Sequence, residues 1–315
     1  MDITVILCTY NRSESLANAL ASVASQEVSS GVRWEVLVVD NNSRDQTPAV
    51  VRKFSDKYPG RFRYLFEPRP GKSFALNAGI QDAHGSILAF LDDDVVVESK
   101  WLENLTATMR NGEWAGAGGR IIPGWSCPPP KWLPCFDKQA LGPLVAFDPS
   151  SEAGPLLEPP FGTNMAFRKT VFEKYGGFRT DLGPRPGSEI RSEDTEFGAR
   201  LLAAGERLRY EPTAVVYHEV PQNRVRKEYF LKWWFDKSRA NIREGGILNE
   251  NTWHIHGIPA ASLKRLIGWI VRWLLTLDSS RRFSCKINVW INAGVIVECY
   301  GQWQMKPAPA KTELT

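Results

Sequence analysis

Hydrophobic residues follow two alternating periods along the first 110 positions. Short apolar runs predict buried strands, and apolar residues at every third or fourth position predict helices. The predicted strands lie at 3–8, 35–39, 62–66 and 87–91, and the predicted helices at 13–25, 47–58, 72–83 and 100–110. Because strands alternate with helices, the pattern predicts an α/β fold with a Rossmann-like, mostly parallel sheet flanked by helices.

The second half of the chain is less regular. Residues 123–160 are rich in proline but contain tryptophan and phenylalanine, so we expect a partly ordered flap over a site. The elements predicted beyond it are strands at 163–167 and 214–217, helices at 194–204 and 226–243, and apolar segments at 263–277 and 287–300. The expected organisation has three parts: an α/β domain at 1–245, a helical C-terminal extension at 246–305 and a disordered tail at 306–315.

Composition excludes several classes of protein. With 43% hydrophobic and 23% charged residues, the 315-residue chain is globular rather than disordered. A net charge of +4 is too small to indicate nucleic-acid binding. The five cysteines show no CxxC spacing, and we expect no secretory signal, no spanning helix and a cytoplasmic location.

Polar side chains follow three of the predicted strands where each strand ends. Thr9, Tyr10 and Arg12 follow the first strand, Asp40 follows the second, and residues 92–94 follow the fourth. In an open parallel sheet, ligands bind beyond the carboxyl ends of the strands, at a change in strand order. The pattern therefore predicts a ligand site at this edge of the sheet.

Asp92, Asp93 and Asp94 directly follow the apolar run at 87–91. Three adjacent carboxylates at the end of a buried strand repel one another unless a cation neutralises them. Mg²⁺ or Mn²⁺ meets that need, because these ions prefer oxygen ligands and also bind substrate phosphates. Alternation along a strand would place Asp92 and Asp94 on one face and Asp93 on the other. An acid-rich turn before the next helix is the alternative interpretation.

Five further residues have both a functional and a structural interpretation. Asp40 can bind a base or ribose hydroxyl, or form an Asx turn with the residues that follow it. Lys72 lies near a helix start, where anions bind, although the spacing of a Walker loop is missing. Glu193 and Asp194 begin a helix, where acids ordinarily offset the dipole, but a glycine-rich segment precedes them. His218 ends a strand and is either a ligand or a buried structural histidine.

Eight short blocks, taken in order, resemble the family 2 glycosyltransferases, which have the GT-A fold. The blocks are 5–12, 38–43, 71–79, 90–94, 162–168, 176–178, 192–196 and 217–218. They span about residues 1–243, and the acids at 92–94 occupy the place of the DXD motif of that fold. Ser192 departs from the family pattern, which usually has Gly before the Glu-Asp pair.

The resemblance implies a role for each candidate residue. Thr9, Tyr10 and Arg12 would line the nucleotide pocket, Asp40 would bind the base, and Lys72 would approach the nucleotide. Asp92 and Asp93 would contact the sugar and ribose, and Asp94 would hold Mg²⁺ or Mn²⁺ on the diphosphate, with Asp92 and His218 as further metal contacts. Asp194 would be the general base, with Glu193 supporting it or contacting the acceptor.

The implied reaction is inverting transfer of a sugar from a nucleotide-diphosphate sugar, with a UDP-sugar as the expected donor. The acceptor would be a saccharide or a polyprenyl-linked saccharide, in the synthesis of a bacterial-type polysaccharide or glycoconjugate. A sugar-phosphate nucleotidyltransferase is one alternative, but it would need a glycine-rich loop after the first strand, and residues 8–14 contain no glycine. A non-catalytic nucleotide-sugar-binding protein is the other, and it would be expected to lack the metal or base acids.

The resemblance ends near residue 243. The segment 263–277 carries Trp269 and Trp273 among apolar residues and is flanked by basic ones. This composition favours peripheral contact of residues 263–300 with the inner face of the cytoplasmic membrane. A helix pair that packs on the α/β domain is the alternative.

Overall fold

The computed structural model describes residues 1–110, 112–130, 132–133, 142–187, 190–245 and 253–305. These residues divide into two compact units. The first unit comprises the described residues of Met1–Pro129 and Leu144–Arg224, and the second comprises those of Pro130–Pro143 and of the chain from Val225 onward. The expected tail at 306–315 lies outside the described residues.

The strands of the first unit form one mixed sheet. They are β1 Ile3–Thr9, β2 Trp34–Asp40, β3 Phe62–Phe66, β4 Ile87–Leu91, β5 Val95–Val97, β6 Gly116–Trp125, β7 Gly154–Pro155, β8 Asn164–Arg168 and β9 Leu208–Val220. Their order is β3-β2-β1-β4-β8-β6-β9-β5, with β7 paired to β9. The strands β3, β2, β1 and β4 are parallel, whereas β8 is antiparallel to both of its neighbours.

Helices cover both faces of this sheet, as the alternating pattern predicts. They are α1 Ser13–Ala24, α2 Thr47–Lys57, α3 Lys72–Asp82, α4 Trp101–Arg110, α5 Lys169–Tyr175 and α6 Glu193–Ala203. Along β1, Val5 and Leu7 belong to one buried cluster and Ile6 to the other, so successive side chains enter opposite layers of the core. The helix α1 contributes Leu16 and Leu20 to the first of these layers.

Strand register brings the predicted polar residues to one edge of the sheet. In the central pairs, Thr9 lies opposite Asp40, and Leu7 lies opposite Leu91. The loop after β1, the loop after β2 and the residues after β4 therefore emerge side by side. The fold therefore gathers these polar residues at one edge of the sheet, as the sequence predicts.

Two details of the sheet differ from the sequence-based expectation. The strand β4 ends at Leu91 and the chain turns at Asp93 and Asp94 before β5 begins, so strand alternation does not apply to the three aspartates and that prediction is wrong. The sequence of β6 does not predict a strand, because its first half consists mostly of glycines, where neighbouring residues approach the backbone closely. A Cβ at Gly119 would lie only 2.3 Å from the Ala214 carbonyl oxygen.

The second unit contains three long helices. They are α7 Lys227–Gly245, α8 Ala260–Leu275 and α9 Ser279–Met305, with a small hairpin of β10 His254–Ile255 and β11 Ile258–Pro259 before α8. The buried Glu298 on α9 pairs with Arg239 and Arg243 on α7. Because α7 packs on α9, both helices belong to the compact unit whose described residues run from Val225 onward, whereas the expected organisation groups residues up to 245 with the α/β domain.

Residues 123–160 do not form one independent flap. Phe147 is buried in the first unit against Phe161 and Tyr210, whereas Trp132 packs in the second unit against Phe230 and Phe283. Aromatic residues thus fix the described parts of this segment to two different cores. Residues 131 and 134–141 lie outside the described part of the chain.

Candidate active site

Asp92 lies between a cation and a hydroxyl group. The Lys72 ammonium is 2.6 Å from Asp92 Oδ1, and the Thr163 hydroxyl donates to Asp92 Oδ2 at 2.7 Å. Burial raises the pKa of Asp92, but the adjacent Lys72 ammonium outweighs burial and the net shift lowers that pKa. Asp92 is therefore an ionised carboxylate with both oxygens engaged.

Asp93 and Asp94 share one guanidinium group. Arg12 Nη1 lies 3.1 Å from Asp93 Oδ1 and 2.9 Å from Asp94 Oδ2. The Thr9 hydroxyl donates to Asp93 Oδ2 at 2.7 Å, and Arg224 Nη2 donates to Asp94 Oδ2 at 2.7 Å. Burial raises the pKa of Asp93 to about 6, against the opposing effect of Arg12. The two arginines supply positive charge that adjacent buried carboxylates require.

The second oxygen of Asp94 faces an imidazole nitrogen. Asp94 Oδ1 lies 3.5 Å from His218 Nε2, and Arg224 Nη1 lies 3.0 Å from the same nitrogen. Because arginine can only donate, His218 Nε2 accepts this hydrogen bond and carries no proton. Burial lowers the pKa of His218, and the nearby Asp94 opposes only part of that effect. The imidazole is therefore in the neutral form that binds metal ions.

The pair formed by Asp94 and His218 fits a divalent cation. Mg²⁺ is commonly held by one or two carboxylates, and substrate phosphates and water complete its coordination, so Asp94 would be the main protein ligand and His218 a further contact. Asp92 is directed instead toward Lys72 and Thr163, which favours its predicted donor-binding role over a metal-binding one. Within the described residues, no group of three or more His, Cys, Asp or Glu side chains has metal-binding geometry. A metal at this site would accordingly need ligands from the substrate.

Glu193, the first residue of α6, lies beside the same lysine. Its Oε1 is 3.6 Å from Lys72 Nζ, and its side chain is buried. Burial raises the pKa of Glu193 to about 7, although Lys72 opposes the shift. For Lys72, burial lowers the pKa, but Asp92 and Glu193 outweigh burial and the net shift is upward. Lys72 is thus a cation that links the acids after β4 to those that begin α6.

Asp194 is more accessible than Glu193 and is held by backbone groups. The Gly162 N–H donates to Asp194 Oδ2 at 2.6 Å, and the Thr195 N–H donates to Oδ1 at 2.8 Å. A Cβ at Gly162 would lie 3.0 Å from Asp194 Oδ2, so a side chain there would crowd the carboxylate. The next residue, Thr163, contacts Asp92. Residues 162–163 therefore form a second link between the two groups of acids.

The glycine-rich segment that precedes α6 packs on the start of α3. Lys72 N–H donates to the Pro184 carbonyl at 2.9 Å, and the Ser73 hydroxyl donates to the Leu182 carbonyl at 2.8 Å. Gly183 has φ +92° and leaves no room for a Cβ, which would lie 2.5 Å from the Ser73 oxygen. This close packing brings the acids of α6 to Lys72.

The loops after β1 and β2 are joined, and Asp40 is buried behind them. Asp40 Oδ1 accepts from the Ser43 N–H at 2.8 Å, and its Oδ2 accepts from the Tyr64 hydroxyl at 2.8 Å. Asp40 therefore bonds to its own backbone three residues on, one position further than in the Asx turn weighed for this residue. The Asn11 N–H donates to the Ser43 hydroxyl, and Tyr10 is 43% exposed. Tyr10 can contact a ligand directly, whereas base binding by Asp40 stays a prediction.

Ser192 has the backbone conformation that explains the family's preference for glycine. Its φ is +87° and its ψ is 15°, in the left-handed region. An L-residue in that region is strained relative to glycine. The departure from the family pattern therefore leaves both acids in place and adds backbone strain immediately before them.

The sequence did not indicate Arg224, Thr163 or Asn41 as site residues. Asn41 accepts from the Gly71 N–H at 2.7 Å and donates to the Glu67 and Arg69 carbonyls, so it fixes the loop that leads to Lys72. Arg224 follows His218 by six positions, and this spacing in a basic segment is the signal that could have identified it. Thr163 lies within a block used for the family resemblance.

The comparison with known sequences establishes the family. Residues 4–176 match the family described as Glycosyl transferase family 2, and the chain belongs to that family. It is therefore a glycosyltransferase, as predicted, and the two alternative classes are not favoured. The succinoglycan biosynthesis protein ExoM of Rhizobium meliloti is 29% identical over 303 residues, which cover 94% of this chain and 92% of that protein.

One further relative and one solved structure are similar to this chain. The glucosyl-dolichyl phosphate glucuronosyltransferase of Haloferax volcanii is 26% identical over 247 residues, which cover 74% of this chain and 75% of that protein. The structure of the mannosyltransferase PcManGT from Pyrobaculum calidifontis, in complex with GDP-Man and Mn²⁺, has a TM-score of 0.56 at 18% identity. The match covers 98% of this chain and 76% of that one, and it confirms the predicted GT-A fold.

Proposed function

We propose that this protein transfers a sugar from a nucleotide-diphosphate sugar to a hydroxyl group, with inversion at the anomeric carbon. Asp194 acts as the general base, and Glu193 supports it. The residues Thr9, Tyr10, Arg12, Asp40, Lys72, Asp92 and Asp93 form the donor site. The observation that carries the proposal is the double link between the acids after β4 and Asp194, through Lys72 with Glu193 and through residues 162–163.

The proposed step is a single displacement. The acceptor oxygen forms a bond to the anomeric carbon while its proton passes to Asp194. The bond between that carbon and the diphosphate oxygen breaks, and its electron pair leaves with the nucleoside diphosphate. The base must lie on the face opposite the leaving group, so an α-linked donor gives a β-linked product.

Positive charge beside Asp92–Asp94 suits a diphosphate. Arg12, Arg224 and Lys72 carry donors that can turn from the carboxylates to phosphate oxygens. Asp94 and His218 are the residues that would hold Mg²⁺ or Mn²⁺, which when bound supplies Lewis-acid stabilisation of the leaving group. A solved mannosyltransferase of similar fold contains Mn²⁺, which supports dependence on a divalent metal, whereas the residues that hold it are proposed from this site alone.

A panel of nucleotide sugars tests donor binding without knowledge of the acceptor. Thermal stability of the protein is measured with UDP- and GDP-sugars and their diphosphates, with Mn²⁺ or with chelator. We expect a UDP-sugar to stabilise the protein only with Mn²⁺, and GDP-mannose is included because PcManGT binds it. The phosphorus NMR spectrum of a turnover reaction should show nucleoside diphosphate. With inorganic pyrophosphate added, formation of nucleoside triphosphate and sugar 1-phosphate from the nucleotide sugar would contradict the proposal in favour of nucleotidyl transfer.

The acceptor is proposed from the relatives. One acts in succinoglycan biosynthesis and another on glucosyl-dolichyl phosphate, according to their names. We therefore expect a saccharide acceptor carried on a polyprenyl-type lipid, used in polysaccharide or glycoconjugate synthesis. With such an acceptor we expect the enzyme to act peripherally at the inner face of the cytoplasmic membrane. None of the described helices is both long and apolar enough to span a bilayer.

A further inference from the structure

The helix α8 has an apolar stripe that is exposed in this structure. Ile267, Val271, Leu274 and Leu275 are 63%, 48%, 60% and 75% exposed, and we call these four residues the α8 outer face. Their spacing of four, three and one positions places them along one side of a helix. Within the described residues, such a run of exposed aliphatic side chains on a single helix occurs only here.

The other side of α8 is already used for packing. Trp269 and Trp273 are half-buried, and the Lys286 ammonium on α9 lies 5.4 Å from the Trp273 ring centroid. The Thr276 hydroxyl, just after α8, lies 3.9 Å from Cys285 Sγ on α9. The outer face is therefore not the packing face of this helix pair, and it is free to contact another body.

The charge around this face is strongly one-sided. Between residues 260 and 286 the chain carries six cations and one acid. The cations are Lys264, Arg265, Arg272, Arg281, Arg282 and Lys286, and the acid is Asp278. Arg281 and Arg282 are exposed at the start of α9, directly after the turn that follows α8. An apolar stripe beside an excess of cations suits a partner whose surface is negatively charged and whose interior is apolar, such as an anionic lipid layer.

We propose that the α8 outer face, with Arg281 and Arg282, binds the surface of an anionic lipid bilayer. The 16-residue α8 is shorter than the roughly 20 residues that a spanning helix needs, so it lies in the plane of the interface. A second copy of this chain fits the face less well, since a symmetric contact would bring two sets of cations together. The proposal deepens the peripheral membrane location proposed above, but it does not rest on the transfer reaction, and its failure would leave that reaction untouched.

Vesicle co-sedimentation of the full chain tests the proposal. The vesicles are phosphatidylcholine with phosphatidylglycerol, and phosphatidylcholine alone. We expect binding to the anionic vesicles to be about tenfold tighter and to weaken with added salt. The triple variant Ile267→Ser, Leu274→Ser, Leu275→Ser should bind anionic vesicles at least about tenfold more weakly, since it removes most of the inserted apolar surface. Exposed positions are chosen so that folding is preserved, and thermal unfolding checks this.

Matched controls distinguish an effect specific to the α8 outer face from a general effect of lost hydrophobicity or charge. Leu157→Ser removes a leucine that is 92% exposed in the first unit, and it should not change vesicle binding. Arg281→Gln with Arg282→Gln should abolish the preference for anionic vesicles, whereas Arg52→Gln with Lys53→Gln, at exposed positions of α2, should not. Equal sedimentation of wild type and triple variant would overturn the proposal. A wild-type dimer that the triple variant converts to monomer, without vesicle binding by either protein, would also overturn it in favour of self-association.

Discussion

The candidate active site and the α8 outer face differ in where their side chains find partners. In the site, Asp92, Asp93, Asp94 and Glu193 each lie beside a cation of the same unit. On the outer face, four aliphatic side chains are largely exposed. The difference indicates that the site is organised before any ligand arrives, because its charges are already paired. The outer face instead depends on an external partner.

Removal of the proposed base should have the largest effect. Asp194→Asn keeps the size of the side chain but cannot take a proton, so we expect the transfer rate to fall by about 10³-fold or more. Affinity for the nucleotide should change little, because the charges that face the donor are retained. Transfer is measured by release of nucleoside diphosphate from the donor that the panel identifies. Turnover of the variant at the wild-type rate would remove Asp194 from the mechanism.

Removal of the Lys72 ammonium tests whether the site is organised before a ligand binds. Lys72→Met leaves Asp92 and Glu193 without their shared cation, and we expect the free energy of unfolding to fall by about 3 kcal/mol. The control Lys53→Met, at an exposed position of α2, should change stability by less than about 0.5 kcal/mol. Denaturant unfolding measures both. Equal stability of the two variants would show that the acids do not depend on Lys72.

The raised pKa of Glu193 predicts a pH effect on stability. The folded protein holds this proton more tightly than the unfolded chain, so the wild type loses stability as pH rises from near 4.5 to about 7. Glu193→Gln lacks that proton equilibrium. Between these two pH values, the free energy of unfolding of the variant should rise relative to that of the wild type by on the order of 2 kcal/mol. Urea unfolding at pH 5 and pH 8, with chelator present, measures the change, and a constant difference between the two proteins would refute the prediction.

The smallest expected effect concerns backbone strain beside the acids. Ser192→Gly relieves a left-handed conformation and should stabilise the protein by up to about 1 kcal/mol. Ser55→Gly, inside α2, should destabilise it by about 1 kcal/mol. Thermal unfolding distinguishes the two directions. Destabilisation by Ser192→Gly would mean that the contacts of the serine side chain outweigh the strain.

Strong local patterns made much of the first unit predictable. The strands at 62–66 and 87–91 have the predicted bounds. All five residues of β4 are buried in the core, whereas β3 buries Phe62 and exposes Tyr64 and Phe66. Gathering of the polar residues at one edge follows from parallel pairing of β1 with β2 and β4. The acids that begin α6 stood out through the glycine-rich segment before them, and their catalytic role came from the family resemblance rather than from periodicity.

Features that depend on distant contacts were not predictable from local sequence. The strand β6 consists partly of glycines that only the close approach of other strands explains. Arg224 acquires its role from a contact with Asp94, which lies 130 positions away. Assignment of α7 to the second unit depends on Glu298 near the far end of α9. In each case the determining partner is remote in sequence and leaves no signal nearby.

The central claim is that the acids after β4 bind the metal and diphosphate while Asp194 performs a separate task in the same site. Calorimetric titration of the nucleoside diphosphate with Mn²⁺, on Asp94→Ala and on Asp194→Asn, tests this division most directly. We expect Asp94→Ala to lose the metal-dependent part of the affinity and Asp194→Asn to keep it. Equal loss in both variants, or retention in both, would contradict the account.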